Sequence, residues 1–72
     1  MNNFEILLSS PFDREFLVAE IWFGNEYIAE VNQEESFLKL DIHMNEKGLI
    51  SLPLDEFLNA IELAKKKLIG DE

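Results

Sequence analysis

The spacing of apolar and polar residues along this chain changes once, near Pro53. Before Pro53 apolar residues alternate with polar ones or form short runs, which is typical of β-strands. After Pro53 they recur every three or four positions, which is typical of an amphipathic helix. The sequence therefore predicts an α+β fold, in which an antiparallel meander of four to five strands is followed by one C-terminal helix packed on one face.

Turn residues divide the strand region. The pattern predicts strands over residues 4–8, 15–23, 26–33, 37–43 and 49–52, and turns at 9–14, 24–25, 34–35 and 44–48. Gly24 at the first position of a two-residue turn favours a type II′ hairpin, because that position requires a positive φ.

Two-residue turns in both hairpins would bring one set of apolar residues onto the same face of the sheet. The second turn would place Val31 opposite Leu38, and Glu30 opposite Lys39 on the other face. Because the two registers agree, we predict that this face forms the core beneath the helix. The predicted core face consists of Val18, Trp22, Tyr27, Ala29, Val31, Leu38, Leu40 and Ile42.

The C-terminal region has the features of one helix over residues 54–69. Its predicted apolar stripe consists of Leu54, Phe57, Leu58, Ile61, Ala64 and Leu68. Asp55 and Glu56 suit the positive end of the helix dipole, the lysines at 65–67 suit the negative end, and Gly70 is the expected stop. The dipole thus explains the lysine run without an anion site.

One helix cannot cover both faces of a sheet, so we expect the face opposite the predicted core to be exposed. An exposed apolar patch with a polar rim is typical of an interaction surface. The sequence predicts a protein-binding surface with an apolar centre of Ile21, Phe23 and Ile28 and an acidic rim of Glu26, Glu30, Glu34, Glu35 and Asp41. The alternatives are cover by the N-terminal strand or the turn at Phe12, and a sheet curled enough to make both faces internal.

The charge of the chain bears on the kind of partner. The 72 residues carry 15 acids and 6 bases, a formal net charge of -9. Nucleic acid and anionic membranes are therefore not expected as partners, because binding to phosphate depends on lysine and arginine. The acids either keep a small protein in solution or attract a basic protein partner.

Length and composition indicate a single domain over residues 1–72. There is no cysteine, so packing of the core has to stabilise the fold without disulfides. No apolar run approaches the roughly 18 residues needed to span a bilayer, and the N-terminus lacks the features of a signal peptide. A cytoplasmic location is the expectation.

We expect no catalytic residue, cofactor or metal. No serine stands in a nucleophile-elbow context, and no glycine belongs to a phosphate loop. Glu20, on the predicted core face, is a weak candidate acid or base, since a sheet edge would expose it. Asp41, His43 and Glu46 could collect a divalent ion, but one histidine with carboxylates is a weak metal signal.

Residues 19–34, AEIWFGNEYIAEVNQE, followed by LDEFLNAI at 54–61, resemble short uncharacterised bacterial proteins with the same strand, tight turn, Ile-Ala-Glu strand and acidic-capped helix. In size and acidity the chain is also similar to immunity proteins that neutralise secreted toxins, and to phage-encoded inhibitors of host defence. The expected function is a non-enzymatic acidic protein-binding module, as an inhibitor or immunity-like protein for a basic partner. The alternative is a structural homodimer that pairs through its exposed sheet face.

Overall fold

The computed structural model describes residues 3–12, 16–43 and 48–70. They form four strands, β1 (Phe4–Ser9), β2 (Val18–Phe23), β3 (Glu26–Asn32) and β4 (Lys39–Ile42), followed by the helix α1 (Leu54–Ile69). The strands pair antiparallel in the order β1-β2-β3-β4, and α1 packs against β1, β2 and β3. The predicted α+β meander with one C-terminal helix is confirmed.

The helix begins and ends where the sequence predicts. Asp55 and Glu56 lie in its first turn, and Lys66 and Lys67 in its last turn. Gly70 has a φ of 75° and a ψ of 19°, and its N–H donates to the carbonyl of Lys66. A glycine adopts this left-handed conformation without the steric cost of a Cβ, so it ends the helix as predicted.

The buried side of α1 is rotated from the predicted stripe. Ala60 is buried against the sheet, whereas Leu54 and Leu58 are exposed. Ala64 and Leu68 are buried as predicted. The two alanines present little side chain to the sheet, so the helix backbone can approach it closely.

The core lies between α1 and one face of the sheet. Its buried members are Ala19, Ile21, Ile28, Ala29, Val31, Ala60, Ala64 and Leu68. Phe4 closes the core near the first hairpin, because its ring lies 4.8 Å from that of Phe23 and 5.7 Å from that of Phe57, between centroids.

The first hairpin has the predicted turn. Gly24 has a φ of 62°, and no described residue other than glycine has a positive φ, which fits a type II′ turn at Gly24 and Asn25. Trp22 pairs with Tyr27 as the two-residue turn requires.

A β-bulge in β3 then changes which face each side chain occupies. Trp22 pairs with Tyr27 but Ile21 pairs with Ala29, so Ile28 is an extra residue in β3. One extra residue shifts the alternation of the strand by one position. Tyr27 therefore points away from the helix, while Ile28 and Ala29 both belong to the core.

The predicted core face is wrong for its aromatic members. Trp22 and Tyr27 lie on the face opposite α1, and so does Val18, which is adjacent to the core residue Ala19 on β2. The predicted register of the first hairpin contains no bulge, and it places these three residues beneath the helix. Ala29 and Val31 do lie in the core.

The connection between β3 and β4 is longer than a two-residue turn. Residues 33–38 connect the two strands, with bends at 34–37, and Val31 pairs with Leu40 instead of Leu38. A shift of two residues leaves each side chain on its predicted side, so Leu40 and Ile42 still face the helix side of the sheet. Because α1 packs on β1 to β3, these two residues are 38% and 61% exposed.

The predicted fifth strand, over residues 49–52, is not formed in the described segment that precedes α1. Residues 48–53 have no strand structure, although Ile50 and Leu52 pack against the core as the segment leads from the sheet to the helix. Residues 44–47 of the predicted turn, and Asp13 and Arg14 of the first turn, lie outside the described residues.

Candidate protein-binding surface

The predicted apolar centre of the binding surface is not exposed. Ile21 is 0% and Ile28 is 4% exposed, and both lie in the core beneath α1. Phe23 is half-buried and packs against Phe4. The prediction that these residues form an exposed patch is therefore wrong, because the bulge at Ile28 leaves the odd-numbered residues of β2 facing the helix.

The acids of the predicted rim occupy three separate places. Glu30 and Asp41 face each other across β3 and β4. Glu34 and Glu35 lie in the connection between these strands. Glu26 lies at the other end of β3, roughly 20 Å away at about 3.3 Å of rise per residue. These acids do not form one continuous rim.

The sheet face opposite α1, which we call the outer face, carries three rows of side chains that cross the strands. Strand alternation and pairing define an aromatic row of Glu5, Trp22, Tyr27 and His43, a carboxylate row of Leu7, Glu20, Glu30 and Asp41, and a polar row of Ser9, Val18, Asn32 and Lys39. Polar groups thus dominate the face that the helix does not cover.

The rings of the aromatic row form a continuous surface across the strands. Trp22 and Tyr27 stack with centroids 5.2 Å apart and planes 11° from parallel. The ring of His43 lies 4.3 Å from that of Tyr27, between centroids. Aromatic pairs of this kind contribute about 0.5 to 1.5 kcal/mol beyond the burial of their surface.

Hydrogen bonds tie the aromatic row to the carboxylate row. The indole Nε1 of Trp22 donates to Oε1 of Glu20 at 2.9 Å. The hydroxyl of Tyr27 donates to Oε1 of Glu30 at 2.9 Å. Each carboxylate therefore fixes the orientation of a ring on its own strand.

Asn32 connects two carboxylates that would otherwise repel each other. Its Nδ2 donates to Oε2 of Glu30 at 2.9 Å and to Oδ2 of Asp41 at 2.7 Å. Its Oδ1 accepts a hydrogen bond from the backbone N–H of Glu34 at 3.3 Å. Like charges directly opposite each other destabilise a sheet, and the shared amide offsets part of that cost.

Lys39 does not form the predicted cross-strand pair with Glu30. It lies opposite Asn32 and contacts Glu35, with its Nζ 3.8 Å from Oε2. The longer connection between β3 and β4 accounts for the difference, because it moves Lys39 two positions along β3.

Access to solvent differs along the outer face. Val18 and Asn32 in the polar row are fully buried, and Glu30 is only 5% exposed. The ends of the aromatic row, Glu5 and His43, are exposed, and the rings between them are half-buried, as is Glu20. The aromatic row and Glu20 are therefore accessible to solvent, as are Leu7, Asp41 and Lys39 beside them.

A cluster of aromatic rings beside carboxylates suits a cationic group. An arginine guanidinium can stack on an indole or phenol ring while it donates hydrogen bonds to a carboxylate. An ammonium group can use the ring face and the charge, but without the planar match.

The candidate acid, base and metal ligands fall in different places. Glu20 lies on the outer face instead of beneath the helix, where its carboxylate accepts the bond from Trp22. Glu46 lies outside the described residues. Among residues 3–12, 16–43 and 48–70, no three acidic or histidine side chains are placed to hold a metal ion.

Sequence reasoning missed Glu20, Trp22 and Tyr27 as surface residues. A signal was present in the polar residues at positions 20, 30, 32 and 41, which could have been taken together as one polar face. That reading would have required an extra residue between positions 27 and 30, and so would have located the bulge.

Comparison with known proteins gives no information about the function of this surface. No protein-family model matches the chain, and no curated protein or solved structure matches it. No helix in the described part of the chain has both the length and the apolar character that crossing a membrane requires.

Proposed function

We propose that this protein is a non-enzymatic acidic module that binds a basic segment of a partner protein through the aromatic row and Glu20. The observation that carries the proposal is the stacked pair of Trp22 and Tyr27, held next to the Glu20 carboxylate on the face that α1 leaves uncovered. This pairing of ring and carboxylate matches the chemistry of an arginine side chain.

The charge of the chain supports a basic partner. The formal net charge is -9, and three of the 6 bases lie together at residues 65–67, near the end of α1. Among the described residues of the outer face, Lys39 is the one lysine and there is no arginine. Glu34 and Glu35, beside this face, contribute to the field that steers a basic protein toward it.

The proposed biological role is that of an inhibitor or immunity-like protein in the cytoplasm, where it would occupy a basic surface of its partner. Such a role needs affinity and a fast association rate, but no chemistry. Acidic side chains around an aromatic centre supply both, because the charges accelerate encounter and the rings slow dissociation.

The single tryptophan of the chain provides a direct test. Titration with a hexa-arginine peptide should change the fluorescence of Trp22, and the affinity should fall as salt is raised, because exposed charges are screened beyond about 8 Å at physiological ionic strength. A hexa-glutamate peptide of the same length serves as the negative control.

A pair of matched variants tests whether the outer face is the site. Glu20→Gln should raise the dissociation constant for hexa-arginine several-fold, whereas Glu62→Gln on the exposed side of α1 should leave it unchanged. Equal effects of the two variants would show that the peptide responds to net charge alone, and an unchanged Trp22 signal would show that it does not bind at this face. Either result would overturn the proposed site.

A further inference from the structure

The outer edge of β4 has backbone groups directed away from the sheet. Within the described residues β4 pairs on one side, with β3. The N–H of His43 donates to the carbonyl of Ile28 at 2.8 Å, so alternate residues back to Lys39 direct their backbone groups toward β3. The backbone groups of Leu40 and Ile42 therefore point outward.

The side chains along this edge are apolar on the helix side of the sheet. Leu38, Leu40 and Ile42 are 37%, 38% and 61% exposed, because α1 packs on the other three strands. An edge strand with exposed apolar side chains and outward backbone groups is a template for another strand.

We infer that this edge pairs antiparallel with β4 of a second copy of the chain, with Leu40 opposite the partner's Leu40 on a twofold axis. Leu38 then lies opposite the partner's Ile42, so the apolar side chains of the two copies cover one another. On the outer face Lys39 lies opposite the partner's Asp41, with Cα atoms about 4.5 Å apart as in a non-hydrogen-bonded pair.

The charges of Lys39 and Asp41 favour this register, and they favour a second copy of the chain as the partner strand. With the axis at Asp41, each Asp41 would face the same residue of the partner, and with the axis at Lys39 the two lysines would face each other; both arrangements are repulsive. A twofold axis between two residues would place the outward backbone groups of one copy opposite groups of the other copy that point toward its own β3, so the two edges could not form hydrogen bonds. The two-residue spacing of Lys39 and Asp41 is thus self-complementary only about Leu40.

The interface is centred apart from the surface proposed for a basic partner, since Trp22 and Glu20 lie on β2, an interior strand, and His43 is the one member of the aromatic row next to β4. β4 is only 4 residues long, so the contact is small and association falls in the weak, transient class. Because each chain carries a charge of -9, added salt should strengthen the dimer by screening repulsion between the copies.

An introduced disulfide tests the register. The chain has no cysteine, so Leu40→Cys creates a single thiol, and hydrogen-bonded partners with Cα atoms about 5.5 Å apart lie within the range that a disulfide bridges. Oxidation of Leu40→Cys at concentrations at which the wild-type chain associates should give a covalent dimer. The control Leu58→Cys lies on α1 at a more exposed position, 53% against 38% for Leu40, and should still crosslink at least about tenfold more slowly if the pairing is specific.

Charge variants test the complementarity independently of the thiol. Lys39→Glu should raise the dissociation constant of the dimer about tenfold, because two attractive pairs become repulsive. Asp41→Lys should do the same, and an equimolar mixture of the two variants should form a heterodimer, in which both cross-strand pairs are again of opposite charge. Circular dichroism of each variant establishes that it is folded.

Sedimentation velocity over a range of concentration and salt gives the dissociation constants. A wild-type chain that remains monomeric at millimolar concentration in high salt, or crosslinking of Leu40→Cys no faster than that of Leu58→Cys, would overturn the inference. Failure of the mixture to recover association would overturn the register. Fluorescence of Trp22 with hexa-arginine reports on the other surface, so the two proposals can fail separately.

Discussion

The two faces of the sheet are stabilised in different ways. On the helix side Ala19, Ile21 and Ala64 are fully buried and contribute only apolar surface. On the outer face the buried residues include Glu30 and Asn32, which are hydrogen-bonded to neighbouring side chains. Burial of apolar groups is non-directional and depends on area, whereas burial of polar groups depends on matched donors and acceptors.

The two faces of the sheet therefore have different roles: one provides stability and the other fixes the geometry of the surface. The helix side supplies the favourable free energy of burial. The outer face opposes carboxylates across the strands and uses Asn32 and Tyr27 to hold them, which fixes ring positions at some cost in stability. Substitutions on the two faces should therefore lower the free energy of unfolding by different amounts and for different reasons.

The largest loss is expected for Ile21→Ala on the helix side. Ile21 is fully buried, and its truncation should lower the free energy of unfolding by about 2 to 5 kcal/mol through lost burial and a cavity. The control Leu58→Ala removes an exposed side chain from α1 and should stay within about 0.5 kcal/mol of the wild type. Urea denaturation measures both, and similar losses would mean that the core does not lie where the structure has it.

An intermediate loss is expected for Asn32→Asp on the outer face. The substitution keeps the shape of the side chain but replaces the amide donor shared by Glu30 and Asp41 with an acceptor. The free energy of unfolding should fall by about 1 to 3 kcal/mol at neutral pH. Asn59→Asp on the exposed side of α1 makes the same chemical change without buried neighbours, and a loss there as large as at position 32 would contradict the role given to the network.

The smallest loss is expected for Trp22→Phe. Phenylalanine keeps an aromatic ring against Tyr27 but removes the donor to Glu20, so the cost should be about 0.5 to 1.5 kcal/mol. Denaturation followed by far-ultraviolet circular dichroism measures it without the tryptophan signal. A loss comparable to that of Ile21→Ala would place Trp22 in the core, as the sequence alone had suggested.

The sequence predicts those parts of the fold that have local signals. The bounds of α1 follow from a period of three to four residues and from Gly70, and the first turn follows from Gly24. The order and direction of the four strands follow from short apolar segments between turn residues. These features depend on neighbours in the chain, which the sequence displays directly.

The candidate surface was not predicted, because it depends on one residue without a local signal and is indicated only by polar residues that lie far apart in the chain. Ile28 is a good strand former, and no glycine or proline marks it as extra in β3. Two regular hairpins also gave a self-consistent apolar face, so the wrong register carried no internal contradiction. The acids were predicted to form one rim. Their separation along β3 becomes clear only from the length of the connection at residues 33–38.

The bulge at Ile28 changes the side of the sheet on which the later residues of β3 lie. All residues of β3 after Ile28 lie on the opposite side from the one they would occupy in an uninterrupted strand that starts at Tyr27. A single position therefore decides whether the tryptophan and tyrosine rings lie inside the protein or at its surface. A chain one residue shorter at this point could keep the same strands and helix while losing the outward aromatic row. For a related sequence, the count of residues between Gly24 and Glu30 would thus be more informative about its surface than the percentage of identical residues.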